Sequence, residues 1–254
     1  MWRPEFLYSL YEHTLKKQIN PDQLPSHIGI ILDGNRRWAR ELGSSASMGH
    51  RKGADHIAEV LSWCEEVGIE IVTLWLLSTE NFSRAAEELD ELIDIIVATV
   101  ENLAALQKWD IRIIGDLSLL PEPASNRLRA AAQHQLEDSS AMKVNVAIGY
   151  GGRHEITSAV QSYLRDQAKQ GATLQEVAEN VTAEAFTEHM YTKGQPDPDL
   201  IIRTSGEQRL SGFMLWQAVH SELYFCETYW PDFRRTDLLR AVRDYSQRER
   251  RLGK

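Results

Sequence analysis

The chain is poor in cysteine, with only Cys64 and Cys226 in 254 residues. They lie far apart among apolar neighbours and without metal-ligand spacing. That excludes a disulfide framework and a thiolate metal site, and fits buried free thiols in a reducing cytoplasm. No apolar run approaches the roughly 18 residues of a spanning helix, and Met1-Trp2-Arg3-Pro4-Glu5 lacks the apolar stretch of a signal peptide. Excess positive charge is missing too. The 28 Lys and Arg are outnumbered by 37 Asp and Glu, for a net charge of −9, so no general positive surface awaits nucleic acid. Any bound anion must meet local arginines. Familiar phosphate signatures are also absent: there is no G-x-x-x-x-G-K-[ST], and Gly149-Tyr150-Gly151-Gly152 does not fit the dinucleotide fingerprint.

What the chain does have is a series of short apolar runs: Ile28 to Leu32, Ile69 to Leu77, Ile111 to Ile114, Val144 to Ile148, Leu200 to Ile202 and Leu223 to Phe225. Each reads as a buried strand. Between the first two, Ala54, Ile57, Ala58, Leu61 and Cys64 repeat at helical spacing and Gly68 supplies a stop. After the second, Leu89, Leu92, Ile93, Ile96, Val97, Val100 and Leu103 predict a long helix able to wall a cavity. Further helices are expected from about His154 to Gly171 and over Ala185 to Tyr191. The alternation predicts an α/β fold with a central, mainly parallel sheet of about six strands flanked by helices. One domain is expected over residues 1–254, with an N-terminal helix in 1–24 and the core in 25–251. Phe6, Leu7, Leu10, Tyr11 and Leu15 share one face of that first helix, which either covers the core, the preferred reading, or touches a membrane peripherally.

Parallel strands deliver the residues that follow them to one edge, where open α/β sheets bind ligands. Asp33-Gly34-Asn35-Arg36-Arg37 follows the first run, Ser78-Thr79-Glu80-Asn81 the second, Gly115-Asp116 the third, Gly149 to Arg153 the fourth and Arg203-Thr204-Ser205-Gly206 the fifth. Asp33 could hold a metal while Gly34 and Asn35 turn the backbone toward an anion. An Asp-Gly turn explains the same residues equally well. Arg36, Arg37, Arg203 and Arg209 shift the balance, because paired N–H donors suit phosphate oxygens, and Ser205 and Ser211 add hydroxyls. No Asp-Asp pair occurs, so the magnesium motifs of the all-trans prenyl synthases are missing. A haloacid-dehalogenase-like phosphatase would use Asp33 as nucleophile with a second Asp two residues on; Asn35 stands there, and that rival stays open.

His27 to Ala39, containing Asp33-Gly34-Asn35-Arg36-Arg37-Trp38, resembles the first signature of the cis-prenyltransferases, the undecaprenyl diphosphate synthase family. Gly49-His50-Arg51-Lys52-Gly53, Ser78-Thr79-Glu80-Asn81-Phe82-Ser83-Arg84, Gly149 to Arg153, Asp199 to Ser211, Phe213 to Gln217 and Glu222 to Phe225 continue it in order over about residues 25 to 251. The resemblance implies an enzyme that adds isopentenyl diphosphate to an allylic diphosphate, with a new cis double bond and Mg²⁺ as cofactor. It implies that Asp33 holds or delivers Mg²⁺, that Gly34, Asn35, Arg36 and Arg37 cradle the allylic phosphates, and that Asn81 lies near the reacting carbons. Trp38, His50, Ser78, Thr79, Glu80 and Phe82 would line the substrate site, and Glu80 to Glu87 would close over it with Arg84 joining a phosphate. Arg203, Arg209 and Ser211 would bind isopentenyl diphosphate, with Glu222 at the metal beside it. The ending Arg251-Leu252-Gly253 resembles the Arg-x-Gly through which family members reach a neighbouring subunit, implying a homodimer.

Three positions depart from the family pattern. Ala46 stands where many members carry a phosphate-binding Arg, Gln208 replaces a common His and Phe82 a common Trp. Leu76 occupies a position where long-chain relatives have a small residue. It is expected to stop the growing chain, giving a short product similar to that of the actinobacterial Z,E-farnesyl diphosphate synthases, which extend geranyl diphosphate. The alternatives are a long-chain undecaprenyl or decaprenyl diphosphate synthase, or a non-catalytic partner subunit, though such subunits tend to lose the metal Asp.

Overall fold

The computed structural model describes residues 5–133, 136 and 140–248. Arg251, Leu252 and Gly253 lie outside the described residues, as do the side chains of Phe6 and Leu7. In chain order the elements are α1 (Glu5–Gln18), β1 (His27–Ile31), α2 (Asn35–Glu41), α3 (Ala46–Asp55), α4 (Ile57–Val67), β2 (Ile71–Ser78), α5 (Ala86–Ala105) and β3 (Asp110–Ile114). There follow α6 (Glu122–Ala131), β4 (Lys143–Tyr150), α7 (Gly152–Lys169), α8 (Leu174–Asn180), α9 (Ala183–Thr187), β5 (Leu200–Arg203), β6 (Glu222–Phe225) and α10 (Arg235–Ser246).

All six apolar runs form strands, and every pairing is parallel in the order β3-β4-β2-β1-β5-β6. Every residue of β1 and β5 is buried, as is all of β4 except Lys143. Such doubly covered strands lose the polar alternation of a half-exposed sheet. On one face Ile28, Ile30, Val72 and Leu74 meet α4, α5, α6 and α10. On the other, Ile31, Ile201 and Trp75 meet Phe213 and Met214. The stripe on α5 buries Leu92, Ile93, Ile96, Val97, Val100 and Leu103. At about 1.5–3 kcal/mol for each fully buried side chain, this fixes α5 as a rigid wall.

The helix expected through Ala54 and Cys64 is two helices. His56 separates α3 from α4 and its Nε2 sits 2.6 Å from the Phe233 carbonyl oxygen; Gly68 ends α4 in the left-handed conformation, φ 94°. The first helix lies along α10. Leu15 is fully buried, and Arg240 both stacks over the Tyr11 ring and donates to its hydroxyl at 3.0 Å. Among the described residues no helix is long and apolar enough to cross a membrane.

The connectivity locates the binding edge. The chain leaves β1 toward β2 and leaves β5 toward β6 on the opposite side, so a crevice opens beyond the C-terminal ends of β1 and β5. Ile31 pairs with Arg203 across it, and Asp33 follows two residues later.

Candidate active site

Hydrogen bonds across the crevice hold the Asp33 backbone. Its N–H donates to Thr204 Oγ1 at 2.9 Å, and the Thr204 hydroxyl lies 2.6 Å from the Asp33 carbonyl oxygen. Gly34 then turns with φ 109°, and a Cβ there would fall 2.7 Å from the Tyr229 ring, so the sharp turn into α2 depends on glycine. Arg203 Nη2 donates to Asp33 Oδ2 at 2.7 Å, and its Nη1 donates to Ser211 Oγ at 2.7 Å. Arg37 reaches the other carboxylate oxygen at 3.1 Å and donates to Ser205 Oγ at 2.6 Å. Burial alone would raise the Asp33 carboxyl, but hydrogen bonds from Arg203 and Ser205 and the charges of Arg203 and Arg37 outweigh it and hold it below the usual carboxylate value. Asp33 is therefore ionised at neutral pH. Strain marks the loop after β5: Ser205, Ser211 and Met214 are three of the four non-glycine residues with positive φ among those described, each costing about 1–3 kcal/mol.

A second basic cluster lies at the start of α5. Glu88 pairs with Arg84 at 3.1 Å and with Arg36 at 3.4 Å, and Arg84 Nη1 lies 3.4 Å from His50 Nε2. Burial, and next the Arg84 charge, lower His50 from 6.5 to about 4. Its imidazole is neutral at neutral pH. Below about 6.5 the unfolded chain takes up a proton that the folded chain refuses until about 4, so this residue's contribution to stability is complete above that window and falls as pH drops through it. In His50→Asn the fall in melting temperature between pH 6.5 and 4 becomes smaller, as thermal denaturation at several pH values will record; an unchanged slope contradicts the assignment.

The two clusters border adjoining hollows that share Leu32, Asp33, Asn35, His50 and Arg84. One, of about 330 Å³, is lined by Asp33, Gly34, Asn35, His50 and four arginines, Arg36, Arg37, Arg40 and Arg84. The other, of about 410 Å³, has a polar mouth of Asp33, Ser78, Glu80, Asn81, Arg84, Arg203 and Ser211 and an apolar floor of Ile31, Leu32, Trp75, Leu76 and Leu92. Beneath Leu76 only about 40 Å³ remains, between Ala54, Ile57, Ile95, Ile96 and Thr99. This is about a tenth of the 410 Å³ hollow above it. A register shift between Trp75 and Leu77 places Leu76 at a bulge, so Leu76 and Leu77 both pack on the α5 side of the sheet. A larger hollow of about 650 Å³ lies between α1, α4 and residues 231–236, but its arginines are committed elsewhere: Arg235 to Glu12 and Glu66, Arg234 to Asp237.

Most of the expected residues converge on this edge. Asp33, Gly34, Asn35, Arg36, Arg37, His50, Leu76, Ser78, Glu80, Asn81, Arg84, Arg203 and Ser211 all border the two hollows. Asn81 also caps its own turn, its Oδ1 accepting from Ser78 N–H at 2.9 Å. Four others point elsewhere. Trp38 donates its indole N–H to Asp232, Thr79 packs against Gly151, Phe82 packs on the main core, and Arg209 is exposed and paired with Glu207.

Glu222 is not brought to this edge within the chain. It is the first residue of β6 and pairs with Leu200, the first of β5, so it stands at the opposite end of the sheet from Asp33, joined to Arg248. A metal role beside Arg203 has no geometry within one chain. Trp75, Leu92 and Glu88 border or brace the site without having been expected; for Glu88 the spacing of four from Arg84 was the available signal.

Among the described residues no group of three His, Cys, Asp or Glu converges to cage a metal. Mg²⁺ does not need such a cage, since it commonly takes one or two carboxylates and completes its shell with substrate phosphates and water. Asp33, ionised and 28% exposed beside four arginines, fits as a single carboxylate ligand of that kind.

A basic crevice opening onto a narrowing apolar floor, at the switch point of a parallel sheet, defines an α/β protein whose site suits a small amphipathic anion. The family model described as "Putative undecaprenyl diphosphate synthase" matches residues 31–253. The chain is 51% identical over 251 residues to the (2Z,6E)-farnesyl diphosphate synthase of Mycolicibacterium smegmatis, covering 97% of this chain and 95% of that one. It is 52% identical to the short-chain Z-isoprenyl diphosphate synthase of Mycobacterium leprae, covering 98% and 97%. Among solved structures it is similar to lavandulyl diphosphate synthase from Lavandula x intermedia in complex with dimethylallyl diphosphate, with a TM-score of 0.83 and 34% identity over 92% of this chain and all of that one. The chain belongs to the undecaprenyl diphosphate synthase family, the cis-prenyltransferases.

Proposed function

We propose that this prenyltransferase condenses isopentenyl diphosphate with geranyl diphosphate to form (2Z,6E)-farnesyl diphosphate. The observation that carries this reading is the narrow floor, where Leu76 leaves only about 40 Å³ below it. The names of the mycobacterial relatives support the same product class.

In this reading Arg36, Arg37, Arg40 and Arg84 take the allylic diphosphate, and Leu32, Trp75, Leu76 and Leu92 take its hydrocarbon tail. Arg203 and Ser211, with Arg209 released from Glu207, take isopentenyl diphosphate. The bond between the allylic carbon and its diphosphate oxygen breaks, the diphosphate leaves with the electron pair, and the isopentenyl double bond supplies the electrons of the new carbon–carbon bond. Transfer of a proton from the condensed carbon chain to the departed diphosphate then sets the cis double bond. The arginines stabilise charge gathering on the leaving diphosphate, the largest kind of contribution a preorganised site makes, and the apolar floor keeps water from the allylic cation. Asp33 would hold Mg²⁺, which would supply further charge neutralisation at the leaving group. The homodimer implied by the Arg251-Leu252-Gly253 ending belongs to the same reading.

The test is incorporation of labelled isopentenyl diphosphate by the purified chain. Incorporation with geranyl diphosphate and Mg²⁺ is expected, with its loss in EDTA and its return on adding Mg²⁺. Incorporation that survives EDTA would remove the metal from the reading, and none under any condition would remove catalysis by this chain alone.

A further inference from the structure

Glu88 is one of two glutamates in the first turn of α5. Its neighbour Glu87 is exposed and makes no ion pair among the described residues, as expected of a residue that merely favours a helix N-terminus. Glu88 is placed differently. Its side chain is only 25% exposed, and a single oxygen, Oε1, accepts from Arg84 Nη1 at 3.1 Å and lies 3.4 Å from Arg36 Nε. Arg84 stands at the end of the connection after β2, whereas Arg36 is in the first turn of α2. One carboxylate thus ties together guanidiniums from two separate elements, which would otherwise repel across the mouth of the crevice.

Both of these arginines border the 330 Å³ hollow. Asp33 with its partner Arg37, and Arg40, complete its charged lining. No cation comes from position 46, which holds Ala46. Burial lowers the Arg84 guanidinium and the Glu88 charge opposes that shift, so the carboxylate also supports the charged form of the arginine it positions.

Resting on the reading of the crevice as the allylic diphosphate site, we propose that Glu88 is a positioning residue that holds Arg36 and Arg84 as a preformed pair facing the diphosphate. It acts through its oxygen acceptor and touches no substrate. The arrangement lowers the cost of binding because two long side chains are already ordered where the phosphate oxygens arrive.

The test combines two variants with two readouts. In Glu88→Ala the KM for geranyl diphosphate rises about tenfold, the size of one lost charge-assisted hydrogen bond, while the KM for isopentenyl diphosphate stays unchanged. Glu88→Gln keeps an oxygen acceptor and recovers most of the loss. Titration calorimetry with inorganic diphosphate shows the same order of affinities, and this readout remains even for a chain that turns nothing over. Equal or tighter diphosphate binding by Glu88→Ala would make Glu88 a mere counter-charge and overturn the proposal. A parallel rise of both KM values with a lowered melting temperature would make it structural and overturn it too. A wild-type chain that binds inorganic diphosphate more tightly than Glu88→Ala but incorporates no isopentenyl unit would instead count against the prenyl-transfer reading.

Discussion

Asp33→Asn lowers turnover at saturating substrates by about 10²–10³-fold, the loss typical when one preorganised group that stabilises transition-state charge is removed. Asparagine keeps the shape and one oxygen acceptor, so Arg203 retains a partner through Nη2 in addition to Ser211. The charge is deleted, together with the acceptor oxygen that faces Arg37. Removing one partner of a fully buried ion pair destabilises by about 3–5 kcal/mol. The loss here is smaller, because Asp33 is partly exposed to the crevice and the amide oxygen still accepts. Circular dichroism and steady-state kinetics on the same preparation separate the two effects. A folded variant with near wild-type turnover would show that Asp33 only orders Arg203 and Arg37.

Leu76→Ala lengthens the product. The side chain is half-buried at the floor of the 410 Å³ hollow, and the space beneath it is bounded by Ile95, Ile96 and Thr99 on α5 and by Ile57 on α4. Truncation joins the two spaces along the α5 wall. Leu→Ala at a fully enclosed site costs about 2–5 kcal/mol; a residue already facing a cavity falls at the low end, so the fold is retained. Chromatography of products from geranyl diphosphate and labelled isopentenyl diphosphate will show added isoprene units, with the first addition proceeding at close to its original rate. An unchanged product length would move the stop elsewhere, with Leu92 on the same floor as the next residue to truncate.

The sheet was legible because burial on both faces leaves β1, β4 and β5 as unbroken apolar runs, and observed strand ends fall within a residue or two of those runs. Parallel strands then placed Asp33, Ser78 and Arg203 together without further information. Short helices were not legible. Among seven residues α2 buries only Ala39, too little to make a period, and nothing in the spacing of Ala54 and Ile57 announces the break at His56. Direction of side chains was the other gap. Trp38 and Arg209 belong to the right segments but turn to Asp232 and Glu207, and the bulge at Leu76 depends on pairing with β4 that a linear pattern does not reveal. Glu222 differs from these, because a residue that begins a strand in a parallel sheet must lie at the far edge.

The most direct measurement is identification of the product released by the purified chain with geranyl diphosphate, excess isopentenyl diphosphate and Mg²⁺, by chromatography after dephosphorylation against authentic standards. A single product matching (2Z,6E)-farnesol is the predicted result. A ladder of longer alcohols, or a product with the new double bond in trans, would contradict it.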